Sequence, residues 1–260
     1  MKNIPIFHMS SFSRSGETLM LRCLNAHPLI HVAHQILSPD SKEDFKLFRY
    51  LQRYEEDSIS SENEMVMQAR VPSGSVIVVK NAVWCHQYPY KGFALVRNPF
   101  SVYRSFSIAN EPVKGFMHRK AQMYRWAIGI DKNLIPGVAS SSNLESFCAL
   151  YNRKMQDIIN SGVKIIHYEN FVQNPEKYLK IICSELSLPW DSSVLKSHEF
   201  YSEGDIGHGG IKLWRPIHQG SKDSYKKVCP QDFSRIYGLT YPILNQLGYH
   251  VTDEEIMIKE

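Results

Sequence analysis

Four short apolar segments, separated by helical patterns, constrain what this chain of 260 residues can fold into. The segments are IPIFHM (4–9), SVIVVK (75–80), GFALVR (92–97) and VKIIHY (163–168). Apolar runs of this length are typical of strands that are covered on both faces, as in a parallel sheet. Because helical patterns lie between them, we predict an α/β fold of three layers, with a central parallel sheet flanked by helices.

Two of the helical patterns have recognisable boundaries. The segment 17–26 follows the first predicted strand closely and carries its apolar residues on one face, which is expected to pack on the sheet: Leu19, Met20, Cys23 and Leu24. The segment 174–186 begins with Asn174 as the predicted N-cap and Pro175 at the first helical position. Its apolar residues repeat at helical spacing: Leu179, Ile182, Cys183 and Leu186.

Length and charge narrow the class of protein. A chain of this length is expected to form one domain over residues 1–260. The net charge of +4 suits a small anionic ligand and is too low for a nucleic-acid-binding protein.

The five cysteines include no C-x-x-C pair, so we predict reduced thiols and no zinc site. We find neither an apolar run long enough for a membrane span nor a signal sequence, and predict a cytoplasmic protein.

Two stretches between the predicted strands do not fit the strand and helix pattern. Residues 38–74 are charged and rich in serine, and residues 110–145 mix aromatic with basic side chains. We predict that both are insertions that form a lid or the acceptor site. For aromatic residues such as Trp126 in the second stretch, ordinary helix packing is the alternative interpretation.

The segment SFSRSGET (11–18) has the layout of a phosphate-binding loop, because it joins a predicted strand to a predicted helix. A nucleotide triphosphatase carries a lysine in this loop to neutralise the outer phosphates. Here that position holds Glu17, and the nearest positive charge is at Arg14. The loop is therefore expected to bind an anion with less charge than a triphosphate.

Several segments in order resemble the sulfotransferase family that uses 3′-phosphoadenylyl sulfate (PAPS). The segment SRSGETLMLRCLNAHP resembles the family's 5′-phosphosulfate loop, and LVRNPFSVYRSF (95–106) resembles its 3′-phosphate motif. The segment beginning IIHYENF (165–171) is similar to its later strand and helix, and HQGSKDSYKK (218–227) to its third motif. The resemblance implies a sulfotransferase fold, similar to that of P-loop nucleotide triphosphatases.

The resemblance also implies roles for individual residues. The donor PAPS and its product 3′,5′-ADP would be held by residues of the loop and of the later motifs: Arg14, Ser15, Gly16, Glu17, Thr18, Leu19, Arg97, Ser105, Tyr168, Gly220 and Lys222. Arg14 and Lys80 would act on the leaving oxygen and on the transferring sulfuryl group. No metal is required for this chemistry. The acceptor would be a hydroxyl, or an amine, of a small molecule, glycan or lipid.

The general base departs from the family pattern. Cytosolic members carry a histidine two residues after the lysine, where this chain has Ala82. Our candidate base is His34, which follows the loop helix by one short predicted strand. His31, His86 and His208 are the rival candidates, and His208 lies in a glycine-rich segment that is predicted to fold over the site. In the third motif, Arg215 or Lys222 would supply the charge of the family's basic pair.

Two other functions remain open from the sequence. One is a nucleotide kinase or triphosphatase with the same loop topology, against which Glu17 and the absence of a clear strand aspartate for Mg²⁺ both count. The other is a nucleotide-binding protein without catalytic activity, because the base histidine of the cytosolic relatives is missing.

Overall fold

A computed structural model describes residues 4–33, 74–81, 91–109, 116–207, 210–252 and 255–259. Five parallel strands form the central sheet: β1 (Ile6–Ser11), β2 (Ile30–Ala33), β3 (Val76–Asn81), β4 (Gly92–Val96) and β5 (Lys164–His167). Their order across the sheet is β2-β3-β1-β4-β5, and every neighbouring pair is parallel. The four predicted strands and the short strand before His34 are thus confirmed, with boundaries that differ by one or two residues.

The α-helices described are α1 (Glu17–Asn25), α2 (Pro99–Ala109), α3 (Phe116–Ile130), α4 (Ile135–Ser140), α5 (Asn143–Ser161), α6 (Tyr168–Gln173), α7 (Pro175–Glu185) and α8 (Pro230–Gln246). Segments of 3₁₀-helix cover Lys132–Leu134, Ser192–Phe200 and Lys222–Lys227. Near the C-terminus, β6 (Tyr249–Val251) and β7 (Ile256–Ile258) form an antiparallel pair, which the sequence analysis did not predict.

The sheet has a hydrophobic cluster on each face, which confirms the three-layer α/β fold. Strand β4 makes the division clear, since Phe93 and Leu95 belong to one cluster while Ala94 and Val96 belong to the other. This alternation follows from the period of two along a strand. Helices α1 and α7 supply apolar residues to the first cluster, and α2, α3, α5 and α8 supply them to the second.

The predicted start of α7 and the predicted inner faces of α1 and α7 are confirmed. Asn174 is the N-cap of α7 and its side chain accepts a hydrogen bond from the backbone N–H of Lys177, with Pro175 in the first turn. The apolar residues predicted for the inner faces of both helices are buried. Trp126 of α3 is also buried and packs against Phe12 and Phe106, so this aromatic residue serves helix packing. Of residues 38–74, all but Gly74 lie outside the described residues.

Candidate donor-binding site

The loop after β1 turns sharply before α1 begins. Arg14 has a backbone φ of 78° and Gly16 has a φ of 100°, both in the left-handed region. A Cβ atom at Gly16 would lie 2.4 Å from two ring atoms of Tyr168, which is closer than side-chain atoms can approach. Glycine is therefore required at position 16 both by the backbone conformation and by the aromatic ring packed over it.

The carboxyl ends of the parallel strands bring the predicted site residues together. The loop follows β1, Lys80 lies near the end of β3, Arg97 directly follows β4, and Tyr168 directly follows β5. They line one cavity of about 250 Å³. Nine of the predicted residues contribute to it: Arg14, Gly16, Glu17, Thr18, Leu19, Lys80, Arg97, Ser105 and Tyr168. This is the edge at which open parallel sheets bind their ligands.

Arg97 is held in place by contacts around its guanidinium group. Its Nη2 atom donates hydrogen bonds to the backbone oxygen of Ser221 and, at 3.1 Å, to Ser224 Oγ. The guanidinium carbon lies 4.3 Å from the centre of the Tyr168 ring, in a cation–π contact. The Nε atom of Arg97 is buried, and no hydrogen-bond partner for it exists among the described residues. These contacts fix the guanidinium group of a residue that lines the cavity.

The backbone beside Arg97 is fixed by a buried polar network. The Glu169 carboxylate accepts hydrogen bonds from the backbone N–H and the side chain of Asn98, at 3.0 and 2.6 Å, and from the hydroxyl of Tyr249 at 2.9 Å. The Tyr151 hydroxyl donates to the backbone oxygen of Arg97 at 2.7 Å. The network ties the end of β4 to α5, α6 and β6. The sequence analysis gave these residues no role, although Glu169 is the acidic residue after Tyr168 in the third matching segment.

Arg14 and Ser105 connect the loop to α2. The Nε atom of Arg14 donates a hydrogen bond of 3.1 Å to Ser105 Oγ. Burial lowers the pKa of Arg14; the charge of Glu17 opposes this effect, and the charge of Arg97 adds to it. The two arginines thus repel each other in a partly desolvated cavity, and an anion placed between them would relieve that repulsion.

Lys80 and Glu17 face each other within the cavity. Lys80 Nζ lies 4.0 Å from Glu17 Oε1, and both side chains are buried. The other carboxylate oxygen, Oε2, accepts a hydrogen bond of 3.2 Å from the backbone N–H of Gly16. The Glu17 side chain thus turns inward and pairs with a neighbouring base, Lys80.

Three of the residues predicted to bind the donor, Ser15, Gly220 and Lys222, do not line the cavity. Ser15, which belongs to the loop, is buried and does not line the cavity. Gly220 and Lys222 do not line it either, but Ser221 between them does. The side chain of Arg215 is exposed, and its backbone oxygen accepts a hydrogen bond from Arg22. The third motif therefore reaches the cavity through Ser221. Ser221 could not be identified from the sequence, because no helix or strand periodicity marks which residues of this segment point to the same side.

The histidine candidates are only partly covered by the structure. His34, His86 and His208 lie outside the described residues, so their roles stay predictions. His31 lies in β2. The glycine-rich segment 204–212 does reach the site, since Gly210 and Ile211 line the cavity together with the predicted residues.

Arg22 holds the segment that follows Gly210 and Ile211, two residues that line the cavity. It is buried in α1, and its Nη1 atom donates to the backbone oxygens of Leu213 and Arg215, at 2.7 and 2.8 Å. Its Nε atom donates to Ser197 Oγ at 3.2 Å. These bonds connect α1, which starts at the phosphate loop, with residues 213–215, which directly follow the glycine-rich segment. The sequence analysis did not predict this role for Arg22.

The described residues contain neither a metal-binding cluster nor a membrane-spanning helix. Within residues 4–33, 74–81, 91–109, 116–207, 210–252 and 255–259, no three His, Cys, Asp or Glu side chains are grouped so as to hold a metal ion. In the same ranges, no helix has the length and apolar character needed to cross a membrane. Cys23, Cys148, Cys183 and Cys229, the four cysteines in these ranges, are free thiols.

The chain was compared with known proteins. No family model matches it. It is 22% identical over 282 residues to protein-tyrosine sulfotransferase 1 of Danio rerio, covering 95% of this chain and 73% of that protein. It is 20% identical to the protein-tyrosine sulfotransferase of Drosophila melanogaster over 95% of this chain, and it spans about half of that relative, 52% of its length.

Solved structures of two sulfotransferase domains have a similar fold. The sulfotransferase domain from the curacin biosynthetic pathway superposes with a TM-score of 0.62 at 18% identity, covering 96% of this chain and 99% of that domain. The sulfotransferase domain of the Synechococcus PCC 7002 olefin synthase superposes with a TM-score of 0.59 at 15% identity, covering 97% and 98%.

The fold and the site together define a protein with the sulfotransferase fold. The resemblance to PAPS-dependent sulfotransferases that the sequence motifs indicated is confirmed, and so is the prediction of an enzyme of the sulfotransferase class.

Proposed function

We propose that this chain transfers a sulfuryl group from PAPS to a hydroxyl, or an amine, of an acceptor and releases 3′,5′-ADP. The observation that carries the proposal is the convergence of Arg14, Lys80 and Arg97 on one cavity beside a helix N-terminus. A bisphosphorylated nucleotide carries two separate anionic groups. The loop and the second motif offer two separate groups of donors, which supports this class of ligand.

Each end of the donor has its own set of residues in this proposal. The backbone N–H groups at the start of α1 and the hydroxyl of Thr18 hold the 5′-phosphate. Arg97 and Ser105 hold the 3′-phosphate, because both line the cavity and a guanidinium group forms charge-assisted hydrogen bonds with phosphate. Tyr168, which lies over Gly16 and under Arg97, borders the adenine. Ser15, Gly220 and Lys222 have only indirect roles here, because they do not line the cavity.

The chemistry requires positive charge where the leaving group gains negative charge. In the transfer, the acceptor oxygen forms a bond to sulfur, the bond from sulfur to the bridging oxygen breaks, and the acceptor proton passes to a base. In this proposal Lys80 and Arg14, which both line the cavity, stabilise the sulfuryl oxygens and the bridging oxygen. His34 remains the proposed base.

The acceptor is proposed only as a class. The two sequence relatives are named for sulfation of protein tyrosine, which makes a phenolic hydroxyl the first acceptor to test. We further propose that the chain is a single domain and that residues 38–74 and 110–145 contribute the acceptor side of the site.

The alternative of a kinase or triphosphatase is not favoured. Glu17 places a carboxylate in the phosphate loop, where a triphosphate would need a cation. A thermal-shift comparison of 3′,5′-ADP with Mg-ATP tests this directly. We expect 3′,5′-ADP to raise the unfolding midpoint and Mg-ATP to leave it nearly unchanged. Stabilisation by Mg-ATP alone would refute the proposal.

Turnover provides the second test. The protein is incubated with ³⁵S-labelled PAPS and a panel of tyrosine peptides, simple phenols, aliphatic alcohols, sugars and amines. Transfer of label to at least one acceptor, with release of 3′,5′-ADP, is the expected result. Tight binding of 3′,5′-ADP without transfer to any acceptor would favour the non-catalytic nucleotide-binding protein.

A further inference from the structure

Glu17 places a negative charge inside a site that the proposed function assigns to an anion. Among the described residues that line the cavity, Glu17 is the one that carries a carboxylate. Its side chain is buried, with only 7% of its surface accessible. One of its oxygens accepts a hydrogen bond from the N–H of Gly16, and the other lies 4.0 Å from Lys80 Nζ.

These two partners are groups that an incoming 5′-phosphosulfate would use. A carboxylate oxygen and a phosphate oxygen accept the same hydrogen bonds, and the N-terminus of a helix attracts either one. They cannot accept the same N–H bond at once, and two anions this close in a partly desolvated cavity repel each other. The Glu17 side chain must therefore leave the N–H of Gly16 before a phosphate can accept it.

We propose that Glu17 is a resident anion of the donor loop and a specificity-determining residue for the donor. Its carboxylate balances the charges of Arg14, Lys80 and Arg97, and the ligand's 5′-group displaces it. The cost of this displacement rises with the negative charge that the ligand brings to the loop, so Glu17 selects against 5′-di- and triphosphates. The inference rests on the proposed function.

This role differs from an ordinary stabilising role of an acid at a helix N-terminus. An acid that only stabilises the fold would, on removal, lower stability and leave ligand affinity the same or weaker. A resident anion would, on removal, lower the stability of the ligand-free protein and strengthen ligand binding. The lowered pKa of Arg14, which the charge of Glu17 opposes, agrees with the balancing of charge within the cavity.

The test compares Glu17→Gln with the unmodified protein by isothermal titration calorimetry. Glu176→Gln is the matched control, because it removes the same charge from an exposed residue that pairs with Lys180 on α7. The ligands are 3′,5′-ADP and adenosine 3′-monophosphate, which has the same base and 3′-phosphate but lacks the 5′-phosphate. A metal-free titration with ATP and 5′-AMP measures the selection by charge, and thermal unfolding measures stability.

We expect Glu17→Gln to bind 3′,5′-ADP about fivefold more tightly or better, and adenosine 3′-monophosphate with a Kd within about twofold of the unmodified protein. The gain for ATP should exceed the gain for 5′-AMP. Without ligand, the variant should unfold at a slightly lower temperature. Glu176→Gln should change neither ligand's Kd by more than about twofold.

Two results would overturn the inference. Equal or weaker binding of 3′,5′-ADP by Glu17→Gln, with the unmodified protein binding well, would refute the role of Glu17 and leave the proposed function intact. If neither protein binds 3′,5′-ADP, the proposed function fails and the inference fails with it. A Glu17→Thr variant, which also lacks the charge, repeats the comparison in case the introduced glutamine side chain retains the hydrogen bond to Gly16.

Discussion

Arg14 and Ser105, which lie 91 positions apart in the chain, are joined by a hydrogen bond of 3.1 Å from Nε to Oγ. The bond connects the phosphate loop after β1 to the helix after β4, and both residues line the cavity. Arg14 belongs to the loop proposed for the 5′-phosphate and is bonded to a residue proposed for the 3′-phosphate. Its replacement is therefore expected to affect both affinity and rate.

Replacement of Arg97 should weaken the binding of ligands that carry a 3′-phosphate more than the binding of ligands that lack one. We expect Arg97→Ala to weaken binding of 3′,5′-ADP by roughly 2 kcal/mol or more, because a charge-assisted contact is lost. The binding of 5′-AMP, which lacks that phosphate, should weaken far less. Calorimetric titration of both ligands measures the difference. Arg235→Ala, which removes a half-exposed arginine paired with Glu145, is the control. Equal losses for both ligands would contradict the assignment.

Lys80 should matter for rate more than for product affinity. In Lys80→Met, the charge facing the transferring group is lost while the proposed phosphate contacts remain. We expect kcat to fall by about two orders of magnitude and the Kd of 3′,5′-ADP to change little. Steady-state kinetics with labelled PAPS measures kcat, and calorimetry measures the Kd of 3′,5′-ADP. Lys180→Met, on the exposed face of α7, should behave like the unmodified protein. A variant that kept its turnover but lost product affinity would make Lys80 a binding residue.

His34 is predicted to be the general base and lies outside the described residues. Since the reference pKa of histidine is about 6.5, kcat/KM should rise with pH between about 6 and 7. His34→Ala should lose about a hundredfold in turnover and still bind 3′,5′-ADP. His34→Gln should be nearly as impaired, because it keeps the size but not the basicity. A His34→Ala enzyme with a normal rate and an unchanged pH profile would move the search to His208.

Gly16 should tolerate no side chain. A Cβ atom there would lie 2.4 Å from the Tyr168 ring, and the φ of 100° disfavours other residues. We expect Gly16→Ala to lower the free energy of unfolding by about 2 kcal/mol or more and the midpoint temperature by several degrees. Gly137→Ala in α4 is the contrasting variant, since an added Cβ meets no atom within 4 Å. It should leave stability unchanged or raise it by up to about 1 kcal/mol. Similar midpoints for the two variants would contradict the role of the ring.

The sequence determined the position of the site because that position depends on local patterns. Apolar runs mark the parallel strands, and parallel strands end at one edge of their sheet. Polar residues that directly follow such runs, among them Lys80 and Arg97, are therefore brought together without any knowledge of the packing. The N-cap of α7 also follows from local sequence.

The tertiary structure decided which side chains in irregular segments reach the cavity. Ser221 lines it while Gly220 and Lys222 do not, and Glu169 holds the backbone next to Arg97 through Asn98 and Tyr249. Glu17 turns inward toward Lys80. Each of these contacts joins residues that lie far apart in the chain. Their geometry depends on the packing of several elements at once, and no periodicity in the sequence encodes it.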